Sequence, residues 1–74
     1  MEDYKMKKAI LIEDINCEQA ISLIRGALSK ILGVCRIAID QDYIILDADT
    51  EVKDYEIKYT LNKLGFRVKK ILTL

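Results

Sequence analysis

The chain holds two thiols, Cys17 and Cys35, and no histidine. A thiolate is a soft ligand and selects soft ions such as Cu(I) over hard ones. The missing histidine removes the commonest general base and the commonest imidazole ligand together. Cys17 lies between Asn16 and Glu18, with Glu13 and Asp14 just ahead. A thiol in the first turn of a helix feels the positive helix end, which favours its anion. Three routes to metal are open to it. Oxygens of Glu13, Asp14 or Glu18 could join Cys17 in a harder, zinc-like site. Two molecules could share one soft ion through paired Cys17 thiolates. A partner protein could supply another thiol. A helix-start cysteine without a ligand role is the plainer reading, as is helix stabilisation for Glu13 and Asp14.

The elements that must position these groups follow from periodicity. Residues 8–12 read as a strand with Ile10 and Ile12 toward a core and Ala9 and Leu11 on the other side. Asn16 is a good N-cap, and Gln19 completes a capping-box pattern. Ile21, Ile24, Ala27, Leu28 and Ile31 recur at helical spacing, and Gly33 ends that helix. Residues 34–39 and 43–46 form two strands joined by the polar turn Asp40, Gln41, Asp42. A second helix is expected to start near Asp49 or Thr50, to bury Val52, Ile57, Leu61 and Leu64, and to end at Gly65. Residues 66–72 form the last strand. The order βαββαβ, with its two βαβ halves, predicts an α+β fold: a ferredoxin-like sandwich, with a four-stranded antiparallel sheet and two helices on one face.

On this reading Cys35 cannot join Cys17. The first helix separates them by about 16 residues at roughly 1.5 Å each, more than 20 Å, while a disulfide needs Cα atoms within about 7 Å. Alternation also places Cys35 beside Ile37 and Ile39, toward the core, as a small buried hydrophobe.

The chain resembles the heavy-metal-associated domain family of copper chaperones, mercury carriers and N-terminal domains of metal-pumping ATPases. That family's loop reads Gly-Met-x-Cys-x-x-Cys at the start of the first helix. Here Asp14 stands at the glycine, Ile15 at the methionine, Cys17 at the first cysteine and Ala20 at the second. Ile21, Ile24, Ala27, Leu28, Ile31, Gly33 and Val34 fall on its helix positions. Leu61, Leu64, Gly65 and Phe66 fit its closing signature. The resemblance spans about residues 8–71. It implies a soft-metal binding or transfer module with a degenerate metal motif that keeps only Cys17. The cargo would be Cu(I) or Zn(II), held weakly or with help from a second molecule. Phe66 would either shield Cys17 or fill core. The alternative is a metal-free interaction or regulatory domain that kept the fold and lost the site.

Composition bounds the remaining classes. At 74 residues the chain reads as one domain, 1–74, with an ordered core of about 8–72 and no space for an internal active-site cavity. No acid, base and nucleophile converge, so an enzyme is not expected. Twelve basic and twelve acidic residues give zero net charge, which argues against nucleic acid. The apolar run 9–12 is too short for a signal peptide or membrane insertion, so a cytoplasmic place with reduced thiols is expected. A protein partner or a homodimer would use the metal loop or the open sheet face. That face is expected to carry Leu11, Arg36, Ala38, Arg67, Lys69 and part of 43–46. The basic groups Lys7, Lys8, Arg67, Lys69 and Lys70 would dock an acidic partner or keep the sheet edge solvated.

Overall fold

A computed structural model describes residues 6–13, 15, 18–40 and 43–74. The element order is β1 (Met6–Ile12), α1 (Glu18–Ser29), β2 (Val34–Ile39), β3 (Tyr43–Ala48), α2 (Asp54–Lys63) and β4 (Val68–Thr73). The strands lie in the order β2-β3-β1-β4, every neighbouring pair antiparallel. This is the expected ferredoxin-like sandwich. β1 is central because its residues pair on both sides: Ile10 faces Ile44 on β3 and Ile71 on β4.

One sheet face supplies Ile10, Ile12, Ile44, Leu46 and Ala48 to the core. Ile24 and Leu28 of α1 and Ile57 and Leu61 of α2 cover it. The expected assignment of Ile10 and Ile12 to the core side of β1 therefore holds. Each of these aliphatic side chains is almost fully withdrawn from water, which contributes about 1.5–3 kcal/mol per side chain.

Gly65 ends α2 as expected. Its φ is +98°, its N–H donates to the Asn62 carbonyl, and the Phe66 N–H donates to the Leu61 carbonyl at 3.1 Å. That pair of bonds is a Schellman closure, and only glycine adopts its geometry without penalty. Gly33 does something different. α1 stops at Ser29, and Gly33, φ +100°, closes a further turn before β2. A Cβ there would lie 2.8 Å from Val52 Cγ2.

Five expectations are corrected, the first being that Leu64, expected among the buried residues of the second helix, is exposed. The second helix starts at Asp54, not at Asp49 or Thr50. Asp49 and Val52 are joined in a turn, Val52 N–H to Asp49 O at 3.1 Å, and Glu56 Oε1 accepts from the Lys53 N–H at 3.1 Å to start the helix there. Cys35 is exposed, not buried with Ile37 and Ile39. The β2–β3 register shifts between Val34 and Arg36. A bulge of this kind adds one residue and resets alternation, so Val34, Ile37 and Ile39 face the core while Cys35 does not. A second register shift on the β1–β4 pairing sets Lys70, rather than Lys69, opposite Leu11 on the open face. Lys8 is 5% exposed and does not solvate an edge. Its Nζ donates to Asp54 Oδ1 at 2.6 Å and to Thr73 Oγ1 at 3.2 Å, tying β1 to α2 and β4.

At the outer strand β2, Arg25 of α1 reaches the Ile37 carbonyl through Nη1 at 3.2 Å. Among the described residues, no helix is long and apolar enough to cross a membrane.

Candidate metal centre

The turn between β1 and α1 carries the residues with metal chemistry. Cys17, Asp14 and the expected cap Asn16 lie outside the described residues. The frame around them is described. Ile15 is 4% exposed and belongs to the core cluster. Burial of this one aliphatic side chain fixes where the chain leaves the sheet. Glu18 is the first residue of α1 and is exposed, so its carboxylate sits at the positive end of the helix. Gln19 beside it is exposed too.

Ala20 is turned inward at 7% exposure. The position where the resemblance expects a second thiol thus holds a buried methyl group. The register rules out Cys35 as a substitute. Val34 pairs with Ala48 and Ala48 with Met6, so Cys35 stands at the end of the sheet where β1 begins. The turn follows Ile12 at the other end. Six steps along β1 at about 3.4 Å each separate the two by roughly 20 Å. The Cys35 Sγ contacts the Gly33 carbonyl at 3.7 Å instead. Among the described residues, no group of three or more acidic, cysteine or histidine side chains could hold a metal ion. These residues do not fit a two-thiolate chelate within one molecule. They leave two carboxylates, Glu13 and Glu18, on either side of the turn.

The chain just ahead of β4 lies against Glu13. The Glu13 N–H donates to the Arg67 carbonyl at 3.2 Å. A cleft of about 400 Å³ lies between Glu13, Gly65, Phe66 and Arg67. Phe66 is half-buried and packs on the core cluster. Arg67 lies just ahead of β4 and lines this cleft. Its role at the turn was missed. The signal was present, since β4 must run beside β1 and its first residues must reach the end of β1.

Solved structures share this fold. A copper binding domain from a P-type ATPase superposes with a TM-score of 0.79 at 20% identity, over 95% of each chain. It has the fold of a heavy-metal-associated domain. The N-terminal domain of a potential copper-translocating P-type ATPase from Bacillus subtilis, in its Cu(I)-loaded state, gives 0.79 at 22% identity, over 86% of this chain and 84% of that one. The N-terminal domain of ZntA in its Zn(II) form gives 0.78 at 15% identity, over 86% and 89%. No family model and no curated protein matches the sequence.

Proposed function

We propose that this chain is a metal-handling module of the heavy-metal-associated type that supplies one thiolate, Cys17, and takes its second soft ligand from another molecule. The observation that carries this reading is the contrast within one turn. The frame is kept, with Ile15 buried and α1 starting at Glu18, while Ala20 packs a methyl group where a chelating thiol would stand. One thiolate at a helix N-terminus binds a soft ion weakly alone and firmly when a second thiolate completes a linear pair. The second thiolate comes from Cys17 of another copy or from a partner protein. Cu(I) suits that pair. Zn(II) would draw on the carboxylates of Glu13, Asp14 and Glu18 as well. The metal is cargo, and binding and transfer rather than catalysis are the activity. The module works as one domain over residues 1–74 in the cytoplasm, where Cys17 stays reduced.

The inward methyl of Ala20 also favours a second reading, a domain that uses the fold for protein contact without metal. Native mass spectrometry under reducing conditions separates the two, with Cu(I) and then Zn(II), on wild type and the Cys17→Ser, Cys35→Ser and Ala20→Cys variants. Wild type and Cys35→Ser should retain metal against a competing thiol as a bridged dimer. Cys17→Ser should lose it, and Ala20→Cys should hold it as a monomer. Wild type that retains no metal would overturn sharing of the ion between two copies and leave a partner's thiol or the second reading. Retention by Cys17→Ser would move the site elsewhere.

A further inference from the structure

The outward side of α2 differs in make-up from the rest of the surface. Tyr55 and Tyr59, one turn apart, are 73% and 64% exposed. Lys63 Nζ lies 5.6 Å from the centre of the Tyr59 ring. Lys58 and Asn62 are exposed on the same arc of the helix, and Lys53 stands just before it. Both carboxylates of α2 are already engaged. Asp54 holds Lys8 at 2.6 Å, and Glu56 accepts from the Lys53 N–H. Among the described residues, Lys53, Lys58 and Lys63 form no ion pair. In a chain of zero net charge, this face shows ammonium groups and phenols, and its two flanking carboxylates, Asp54 and Glu56, are already bonded. Tyr55 also walls a cleft of about 530 Å³ whose other sides are Met6, Thr50, Val52, Lys53 and the paired Lys8 and Asp54.

We propose that this face docks an acidic segment of a partner protein that carries one large apolar anchor. Carboxylates of the segment meet Lys53, Lys58 and Lys63. The two tyrosine rings cover its backbone, and the anchor enters the cleft beside Met6 and Val52. Exposed aromatic side chains ringed by complementary charge are what such contacts use. Zero net charge disfavours nucleic acid, and the arc lacks the broad apolar side with which a helix lies on a membrane. The cleft sits where β1 begins, and the Cys17 turn follows where β1 ends. Docking here leaves the turn open and does not depend on the metal reading.

The test is amide chemical-shift mapping on the full chain. The probe is a nonapeptide of eight glutamates around a central phenylalanine. Controls carry alanine at the centre or lysine in place of glutamate. Shifts should centre on Met6 and 52–63, spare 18–20, and weaken with added salt. The phenylalanine peptide should bind about tenfold tighter than the alanine peptide. Tyr55→Ser with Tyr59→Ser, and separately Lys58→Glu, should abolish the shifts while the remaining spectrum shows an intact fold. Absent shifts, shifts centred elsewhere, or equal affinity for the phenylalanine and alanine peptides would overturn the proposal. So would binding of oligothymidylate or anionic vesicles to this face in place of the peptide.

Discussion

Each helix of this fold is seated by a turn with one buried aliphatic residue, and the two turns use their other positions differently. Ahead of α2, Val52 is 2% exposed, and the next residue, Lys53, gives its N–H to Glu56. Ahead of α1, Ile15 is 4% exposed, and positions 16 and 17 separate it from Glu18. In both, an apolar side chain just before the helix pins the chain to the core. One side chain is enough to do that. The α2 turn uses its next residue to start the helix, and the chain ahead of α1 carries a thiol in its sequence at the corresponding stretch.

The comparison breaks first at the pins themselves. Ile15→Ala should lower stability by about 2–5 kcal/mol, and Val52→Ala by about 2 kcal/mol, since it loses fewer methyl groups. Chemical denaturation would measure both. A near-zero value at Ile15 would show that something other than its burial seats α1.

The glycines beyond the helices sharpen the contrast. Both have positive φ, but only at Gly33 would a new Cβ press on a neighbour, Val52. Gly33→Ala should cost about 2–4 kcal/mol, strain and crowding together. Gly65→Ala, which meets nothing within 4 Å, should cost about 1–2 kcal/mol for the backbone alone. Equal costs in thermal unfolding would mean that Val52 yields freely.

A smaller effect belongs to the α2 cap. Glu56→Ala leaves the Lys53 N–H to water and should cost about 0.5–1 kcal/mol, with metal retention unchanged. A change in metal binding would mean that the two turns are coupled.

The smallest effect lies in the β2–β3 turn. The Tyr43 hydroxyl ionises above the usual phenol value of 10.0, because it hydrogen-bonds to the Asp40 carboxylate, whose charge also opposes a phenolate. In Asp40→Asn that tyrosine should titrate at lower pH, seen as earlier phenolate absorbance. An unchanged curve would remove the contact.

Local signals carried the fold a long way. The faces of β1, the aliphatic stripe of α1 and the glycine that ends α2 are all set by neighbours within a few residues. The errors arose where distant chain decides. Alternation put Cys35 in the core because a bulge is not visible in a run of alternating side chains, and one extra residue reverses the pattern after it. Lys8 read as solvated because its partners, Asp54 and Thr73, lie 46 and 65 residues away. The late start of α2 depended on a turn stabilised by the Asp49 N–H bonding to Gly33 O at 2.8 Å. At the site, the inward packing of Ala20 and the separation of Cys35 are described, and Cys17 itself lies outside the described residues.

The bond from Arg25 to the Ile37 carbonyl bears on how this chain behaves at high concentration. An outer strand with open carbonyls is a template on which another molecule's strand can grow, and repeated growth ends in fibres. A guanidinium sits on one such carbonyl of β2, and a bulge bends the same strand near its start. Both work against strand addition at this edge, so a surface contact with no part in the core helps keep copies of the chain apart on the β2 side.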